Sequence, residues 1–191
     1  MEDLIEVRWH GRGGQGAVTA SKLLATAAVE EGYYIQAFPE YGAERMGAPV
    51  QSFNRISKDK IELHSQVKEP SYVLVLDPTL LENIDITEGL KEGGIIIVNT
   101  HEPVEKVKND IDAGDKDVKI YTVDATKISI EEIGRAMPNT PMIGALVKVT
   151  DFLKIESLIE AIKKFLSKKF PEKVIEGNLN AIKRAYEEVG N

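Results

Sequence analysis

A glycine-rich run near the start of the sequence has the composition of an anion-binding turn. It comprises Gly11, Arg12, Gly13, Gly14, Gln15 and Gly16, and its glycines follow the G-x-G-x-x-G spacing between a predicted strand and a predicted helix. Glycine allows positive φ and close backbone approach, and amides at a helix start point their N–H groups toward an anion. Arg12 adds a planar cationic fork. The run predicts a site for a phosphate-bearing ligand, a turn that contacts another subunit, or a tight turn without a ligand.

The NAD interpretation of this run lacks its acidic residue. A dinucleotide site requires Asp or Glu at the end of the second strand, roughly 20 residues on, to bind the ribose 2′-hydroxyl. Here that strand ends in Gln36, Ala37 and Phe38, and Glu40 follows only after a proline. We therefore favour the other interpretations over a dinucleotide site.

A second segment, residues 39–49, has the features of a long structured loop. It holds two prolines and two glycines and lacks a hydrophobic period. Loops of this length are commonly binding or lid elements, although a solvated insertion is the alternative. The candidate site residues in it are Tyr41, Gly42, Glu44 and Arg45, of which Arg45 suits a carboxylate or phosphate.

The surrounding elements alternate between strands and helices. Apolar runs predict strands at 4–9, 33–38, 50–56, 72–76, 95–98 and 120–123, with 61–63 as the hairpin partner of 50–56. Helices are predicted at 17–31, 78–83, 103–111, 155–166 and 171–189. The fold class is α/β: a three-layer α/β/α sandwich with a mostly parallel mixed sheet and a helical C-terminal third. Its opening is a Rossmann-like β-α-β unit with parallel pairing of the two strands, within a single domain over 1–191.

Ligands of open α/β sheets bind outside the carboxyl ends of the parallel strands. In this sequence those ends are 10–16, 38–41, Asp77, 99–101 and Asp124. We interpret Asp77 and Asp124 as caps of the following helices or turns rather than as general bases. One rim of the sheet is thus expected to gather the unusual residues of the chain.

The rest of the sequence offers no self-sufficient catalytic set. His10, His64 and His101 share no metal-ligand spacing, so a metal site is not expected. The chain has no cysteine, which excludes disulfides, thiolate catalysis and iron–sulfur ligation by cysteine. Any redox centre that depends on cysteine must therefore sit elsewhere.

The charge and hydropathy of the sequence disfavour two classes of partner, nucleic acids and membranes. The net charge of −7 disfavours nucleic acid, and no apolar run approaches the roughly 20 residues of a membrane span. We expect a cytoplasmic protein, and its richness in Glu and Lys is typical of thermophile proteins.

Three segments together resemble the gamma subunits of the 2-oxoacid:ferredoxin oxidoreductases. They are residues 11–16, 38–50 and 139–146, and the likeness spans nearly the whole chain. The ending Gly47-Ala48-Pro49 is more similar to the pyruvate and branched-chain members of the family than to the 2-oxoglutarate members.

This resemblance implies a multi-subunit enzyme that oxidatively decarboxylates a 2-oxoacid, with pyruvate favoured, to an acyl-CoA. Thiamine diphosphate and 4Fe–4S clusters are expected on partner subunits, with ferredoxin as electron acceptor. The implied role of this chain is contact with coenzyme A and other subunits at 11–16 and 41–47, without turnover of its own. The alternatives are a free-standing Rossmann-type nucleotide-binding oxidoreductase and a purely architectural subunit. The isolated chain is expected to expose apolar surface through which a homodimer can form.

Overall fold

Six strands form one mixed sheet in the computed structural model, which describes residues 4–40, 47–114 and 116–190. The strands are β1 (Ile5–Arg12), β2 (Tyr34–Glu40), β3 (Pro49–Ser57), β4 (Tyr72–Val75), β5 (Ile95–Asn99) and β6 (Lys119–Val123). Their order across the sheet is β2-β3-β1-β4-β5-β6. Three strand pairs are parallel: β1 with β4, β4 with β5, and β5 with β6. Strand β3 is antiparallel to both of its neighbours, β1 and β2. The prediction of a mostly parallel mixed sheet is confirmed.

Helices cover both faces of the sheet. They are α1 (Ala17–Glu30), α2 (Val104–Asp110), α3 (Ala125–Ile133), α4 (Asn139–Val149), α5 (Ile155–Leu166) and α6 (Glu172–Glu188), with a short 3₁₀ helix at Pro78–Glu82. In the larger core, five helices (α1, α3, α4, α5 and α6) pack against one face of the sheet. In the smaller core, α2 packs against the other face. The predicted α/β class and helical C-terminal third are confirmed. The predicted helix at 78–83 is this 3₁₀ turn.

Two predictions about strand pairing are wrong. β1 and β2 run in the same direction but do not pair, because β3 lies between them and is antiparallel to both. Residues 61–63 form no strand. Both edges of β3 are already occupied by β1 and β2, so no edge is left for a hairpin partner.

Helix α4 is the centre of the larger core. Its residues from Asn139 to Val147 are all buried. A Cβ on Gly144 would collide with the carbonyl oxygen of Ile182, so the missing side chain is what lets α6 pack this closely. The third segment of the family resemblance thus has a packing role.

Among the described residues, no helix is long and apolar enough to cross a membrane.

Candidate functional site

The glycine loop leaves β1 at Arg12 and enters α1 at Ala17. Gly14 and Gly16 have φ of 100° and 84°, a region that other residues rarely adopt. Gly14 is exposed, and a Cβ built on it meets no atom within 4 Å. A Cβ on Gly16 would lie 2.7 Å from Nδ2 of Asn139, so Gly16 also allows close packing against α4. The loop is therefore packed against α4 at Gly16 and open to solvent at Gly14.

Part of the loop's backbone is bonded internally. The Gly13 amide donates to Ala48 O at 2.9 Å, and the Gln15 amide donates to Arg12 O at 3.0 Å. The first helical hydrogen bond runs from Ala20 N to Gly16 O at 2.8 Å. Within the described part of the chain, the amides of Gly14 and Gly16 have no acceptor. These N–H groups are placed to donate to an incoming anion.

Arg12 is held in place by three contacts. Its Nη2 donates to Thr79 Oγ1 at 2.8 Å and its Nη1 to Gly47 O at 3.2 Å, while Nε lies 3.2 Å from Asp77 Oδ2. The side chain is 32% exposed. Since a guanidinium carries five N–H donors, Arg12 retains donors for a ligand as well as a fixed orientation.

Asp77 joins the loop to the end of β4. Its Oδ2 accepts from Gln15 Nε2 at 2.6 Å, and its Oδ1 accepts from the amide and hydroxyl of Thr79 at 3.0 and 2.6 Å. Burial raises the pKa of this carboxyl, but the hydrogen bonds from Thr79 and Gln15 and the charge of Arg12 outweigh it and lower the pKa overall. Asp77 caps the 3₁₀ helix, as predicted, and Asp124 caps α3 by accepting from Lys127 N at 2.9 Å. The bond between Asp77 and Gln15 was not foreseen.

A cleft of about 580 Å³ opens beside this cluster at the carboxyl ends of β4, β5 and β6. Its lining includes Thr79, Asn99, Thr100, His101, Lys106 and Asp124. The side chain of Asn99 holds the lining of the cleft together, because its Nδ2 donates to Leu76 O at 2.7 Å and to Thr126 Oγ1 at 2.8 Å. The predicted strand-end residues after β1, β4, β5 and β6 are thus brought together around the glycine loop and this cleft, whereas Phe38 to Glu40, at the end of β2, are not among the residues that line it.

The face of β1 opposite α1 carries polar residues whose burial the sequence analysis did not predict. Glu6 accepts from Arg55 Nε at 2.8 Å, and Arg8 Nη2 donates to Ile86 O at 2.8 Å. His10 is 1% exposed, and neither ring nitrogen has a hydrogen-bond partner within the described ranges. Burial, together with the charge of Arg8, lowers the pKa of His10 to about 3, so this side chain is neutral. His64 and His101 are exposed.

The geometry disfavours a dinucleotide at the loop. Glu40, which ends β2, accepts from Gln66 Nε2 at 3.1 Å. Because β3 lies between β1 and β2, Glu40 is two strand spacings from the loop, roughly 9 to 10 Å. In a dinucleotide site the acidic residue comes from the adjacent strand. The other predicted wall of the site, with Tyr41, Gly42, Glu44 and Arg45, lies outside the described residues.

Sequence comparisons relate nearly the whole chain to one group of enzymes. The sequence pattern of the family described as pyruvate ferredoxin/flavodoxin oxidoreductase matches residues 6–188. Pyruvate synthase subunit PorC of Thermotoga maritima is 52% identical over 96% of this chain and 94% of that protein. The pyruvate/ketoisovalerate oxidoreductases common subunit gamma of Pyrococcus furiosus is 50% identical over 96% of this chain and 96% of that protein.

Solved structures have the same fold. Pyruvate oxidoreductase subunit PORC from Thermotoga maritima superposes with a TM-score of 0.86 at 48% identity, covering 98% of both chains. A 2-oxoglutarate:ferredoxin oxidoreductase from Magnetococcus marinus, solved with coenzyme A bound, has a TM-score of 0.77 at 19% identity. That match covers 98% of this chain and 31% of the longer one, and it concerns the fold alone.

Proposed function

This chain belongs to the pyruvate ferredoxin/flavodoxin oxidoreductase family as a gamma-type subunit, and from that premise we propose that it binds coenzyme A for a pyruvate-oxidising enzyme. The reaction is the oxidative decarboxylation of pyruvate to acetyl-CoA. In this proposal partner subunits carry thiamine diphosphate and 4Fe–4S clusters and pass the electrons to ferredoxin. This chain contributes coenzyme A binding and subunit contacts.

The observation that carries the proposal is the open side of the glycine loop. Gly14 is exposed at the carboxyl rim of the sheet, the Gly14 and Gly16 amides have no acceptor among the described residues, and Arg12 is fixed beside them. Backbone amides at a helix start and a guanidinium fork are donors that suit phosphate oxygens. Coenzyme A supplies such oxygens at its pyrophosphate and its ribose phosphate.

Coenzyme A is the first ligand to test for two reasons. The proposed reaction consumes it, and a structural neighbour of the same fold, a 2-oxoglutarate:ferredoxin oxidoreductase, was solved with it bound. The electrostatic contribution of the helix start is only about 0.3 to 1 kcal/mol when exposed. Additional contacts, from the adjacent cleft or from partner chains, must supply most of the affinity.

An architectural role is the second candidate, and one observation favours it for part of the chain. The segment 139–146, which carries part of the family resemblance, is buried within this chain and packs against α6. A purely architectural subunit would use the glycine loop as a contact for a neighbouring chain rather than for coenzyme A.

Kinetics of the reconstituted enzyme distinguish these two functions. We expect no turnover by this chain alone, and loss of CoA-dependent ferredoxin reduction when it is omitted from the complex. In complexes that assemble, Arg12→Ala should raise KM for coenzyme A and leave KM for pyruvate unchanged. Lys60→Ala is the control, because Lys60 is an exposed cation that follows β3 at the end of the sheet opposite the loop. An Arg12→Ala enzyme that assembles poorly but keeps its KM for coenzyme A supports the architectural role.

A further inference from the structure

Strand β2 is an edge strand, and the hydrogen bonds of the sheet fix which of its residues point outward. On β1, the carbonyl oxygens of Glu6 and His10 accept from Ser71 N and Leu76 N on the β4 side. Backbone groups of successive residues in a strand point to opposite sides. The even-numbered residues of β1 therefore bond toward β4, and its odd-numbered residues bond toward β3.

The pairing register of the strands determines the direction of the backbone N–H and C=O groups of β2 in the same way. Trp9 pairs with Ser52, so the even-numbered residues of β3 bond toward β1 and its odd-numbered residues bond toward β2. Phe53 pairs with Phe38, so the even-numbered residues of β2 face β3. The Ser52 hydroxyl donates to Phe38 O at 3.4 Å, which agrees with this direction.

The backbone groups of Ile35, Ala37 and Pro39 consequently point away from the sheet. Pro39 has no N–H to offer, and an outward position is where an edge strand tolerates proline. These three residues are half-buried, and none of their outward N–H or C=O groups has a partner among the described residues. An edge of this kind is a template for pairing with another strand.

We propose that the β2 edge pairs with the β2 edge of a second copy of this chain, antiparallel and with a two-fold axis at Ala37. Each Ala37 N–H then donates to Ala37 O of the second copy, and each Ile35 N–H donates to Pro39 O of the second copy. Alanine at the axis leaves room for the two strands to approach. The proposal depends on β2 alone and is independent of coenzyme A binding.

Complementary side chains select the antiparallel arrangement. Tyr34 is 53% exposed at one end of β2, and Glu40 is exposed at the other end on the same face. In the antiparallel pair these residues stand opposite each other across the interface, with Cα atoms about 4.5 Å apart. The Tyr34 hydroxyl can then donate to the carboxylate of Glu40, whereas a parallel pair in register would place the two Glu40 carboxylates together. Opposite partners of this kind stabilise a strand pair and like charges destabilise it.

Site-specific cross-linking of the full-length chain tests the register. The chain has no cysteine, so a single introduced thiol reports one position. Ala37→Cys places two thiols at the axis, with Cα atoms about 5.5 Å apart, and a short bismaleimide should join them rapidly. Ile130→Cys is the matched control, because Ile130 is at least as exposed as Ala37 but lies on α3, which follows β6 at the opposite edge of the sheet. Equal or faster cross-linking at position 130 would overturn the proposal.

The oligomeric state tests the interface itself. By analytical ultracentrifugation we expect the wild-type chain to dimerise with increasing concentration, and Ala37→Pro to remain monomeric. This substitution removes only an outward N–H, so the native ladder is preserved and the circular dichroism spectrum should be unchanged. If the variant fails to fold, hydrogen exchange of the wild-type Ile35 and Ala37 amides decides, because their protection must increase with protein concentration. A wild-type chain that is monomeric throughout, or a folded variant that still dimerises, refutes β2 pairing.

Discussion

The side-chain amide of Gln15 bridges Asp77 and the backbone of Arg12. Gln15 Nε2 donates to Asp77 Oδ2 at 2.6 Å, and Gln15 Oε1 accepts from Arg12 N at 2.8 Å. A carboxylate at the end of β4 thereby fixes the loop that follows β1, the neighbouring strand. The shape of the glycine loop depends on a residue outside the loop.

Asp77→Asn should loosen the loop and destabilise the protein. The substitution replaces an acceptor oxygen with a donor, so Arg12 loses its ion pair and either Gln15 or Thr79 loses its acceptor. We expect the free energy of unfolding to fall by about 1 to 3 kcal/mol, measured by urea denaturation. Asp124→Asn is the control, because Asp124 caps α3 and asparagine caps helices as well as aspartate does. Equal losses in the two variants would contradict a special role for Asp77.

His10 should make the protein acid-sensitive above the usual carboxylate range. The buried imidazole has a folded-state pKa of about 3, against about 6.5 in the unfolded chain. Between these values the unfolded state binds more protons, so the stability that is present above pH 6.5 is lost as the pH falls toward 3. At pH 5 the loss from this group should be about 2 kcal/mol.

Denaturation curves between pH 7 and pH 5 test this sensitivity. His10→Leu removes the titrating group and should flatten the dependence over this window, whatever the variant's absolute stability. Parallel curves for wild type and His10→Leu would show that His10 is protonated, or solvated, in the folded state.

Gly144→Ala should disrupt the contact between α4 and α6. The added methyl group would meet the carbonyl oxygen of Ile182, which cannot move without displacing the helix. We expect a loss of about 1 to 3 kcal/mol, as for other overpacked cores, and a lower Tm in calorimetry. Gly190→Ala is the control, since a Cβ there meets no atom within 4 Å. An unchanged Tm for Gly144→Ala would show that the two helices pack less tightly than described.

Local sequence patterns determined most of the elements but not how the strands pair. The β-branched runs that form β4, β5 and β6 and the apolar stripe of α5 were predictable because strand and helix periods are local properties. The insertion of β3 between β1 and β2 was not, because its antiparallel pairs join distant segments, and the alternation in sequence is compatible with either arrangement. The family resemblance, which depends on three separate segments, is confirmed by the comparisons.

The residues that share the carboxyl edge of the sheet were predictable, but the hydrogen bonds between them were not. Parallel strands end at one edge, so the strand-end residues could be grouped from the sequence alone. The bond between Gln15 and Asp77 spans 62 residues, and a strand-end aspartate reveals only its local capping role. The burial of His10 was likewise unpredicted, because nothing in the alternating residues of β1 shows that both faces of the strand are buried. The predicted roles of Tyr41, Gly42, Glu44 and Arg45 remain predictions, since these residues lie outside the described part of the chain.

The most direct test of coenzyme A binding at the loop compares Gly14→Ala with Gly32→Ala in the reconstituted enzyme. Both glycines are exposed, have φ of 100° and 81°, and would place a Cβ in open space. The backbone strain is therefore similar, at about 1 to 2 kcal/mol, but Gly32 follows the far end of α1. Gly14→Ala should raise KM for coenzyme A about tenfold and leave KM for pyruvate unchanged, while Gly32→Ala leaves both unchanged. Equal values of KM for coenzyme A in the two variants would contradict binding at the glycine loop.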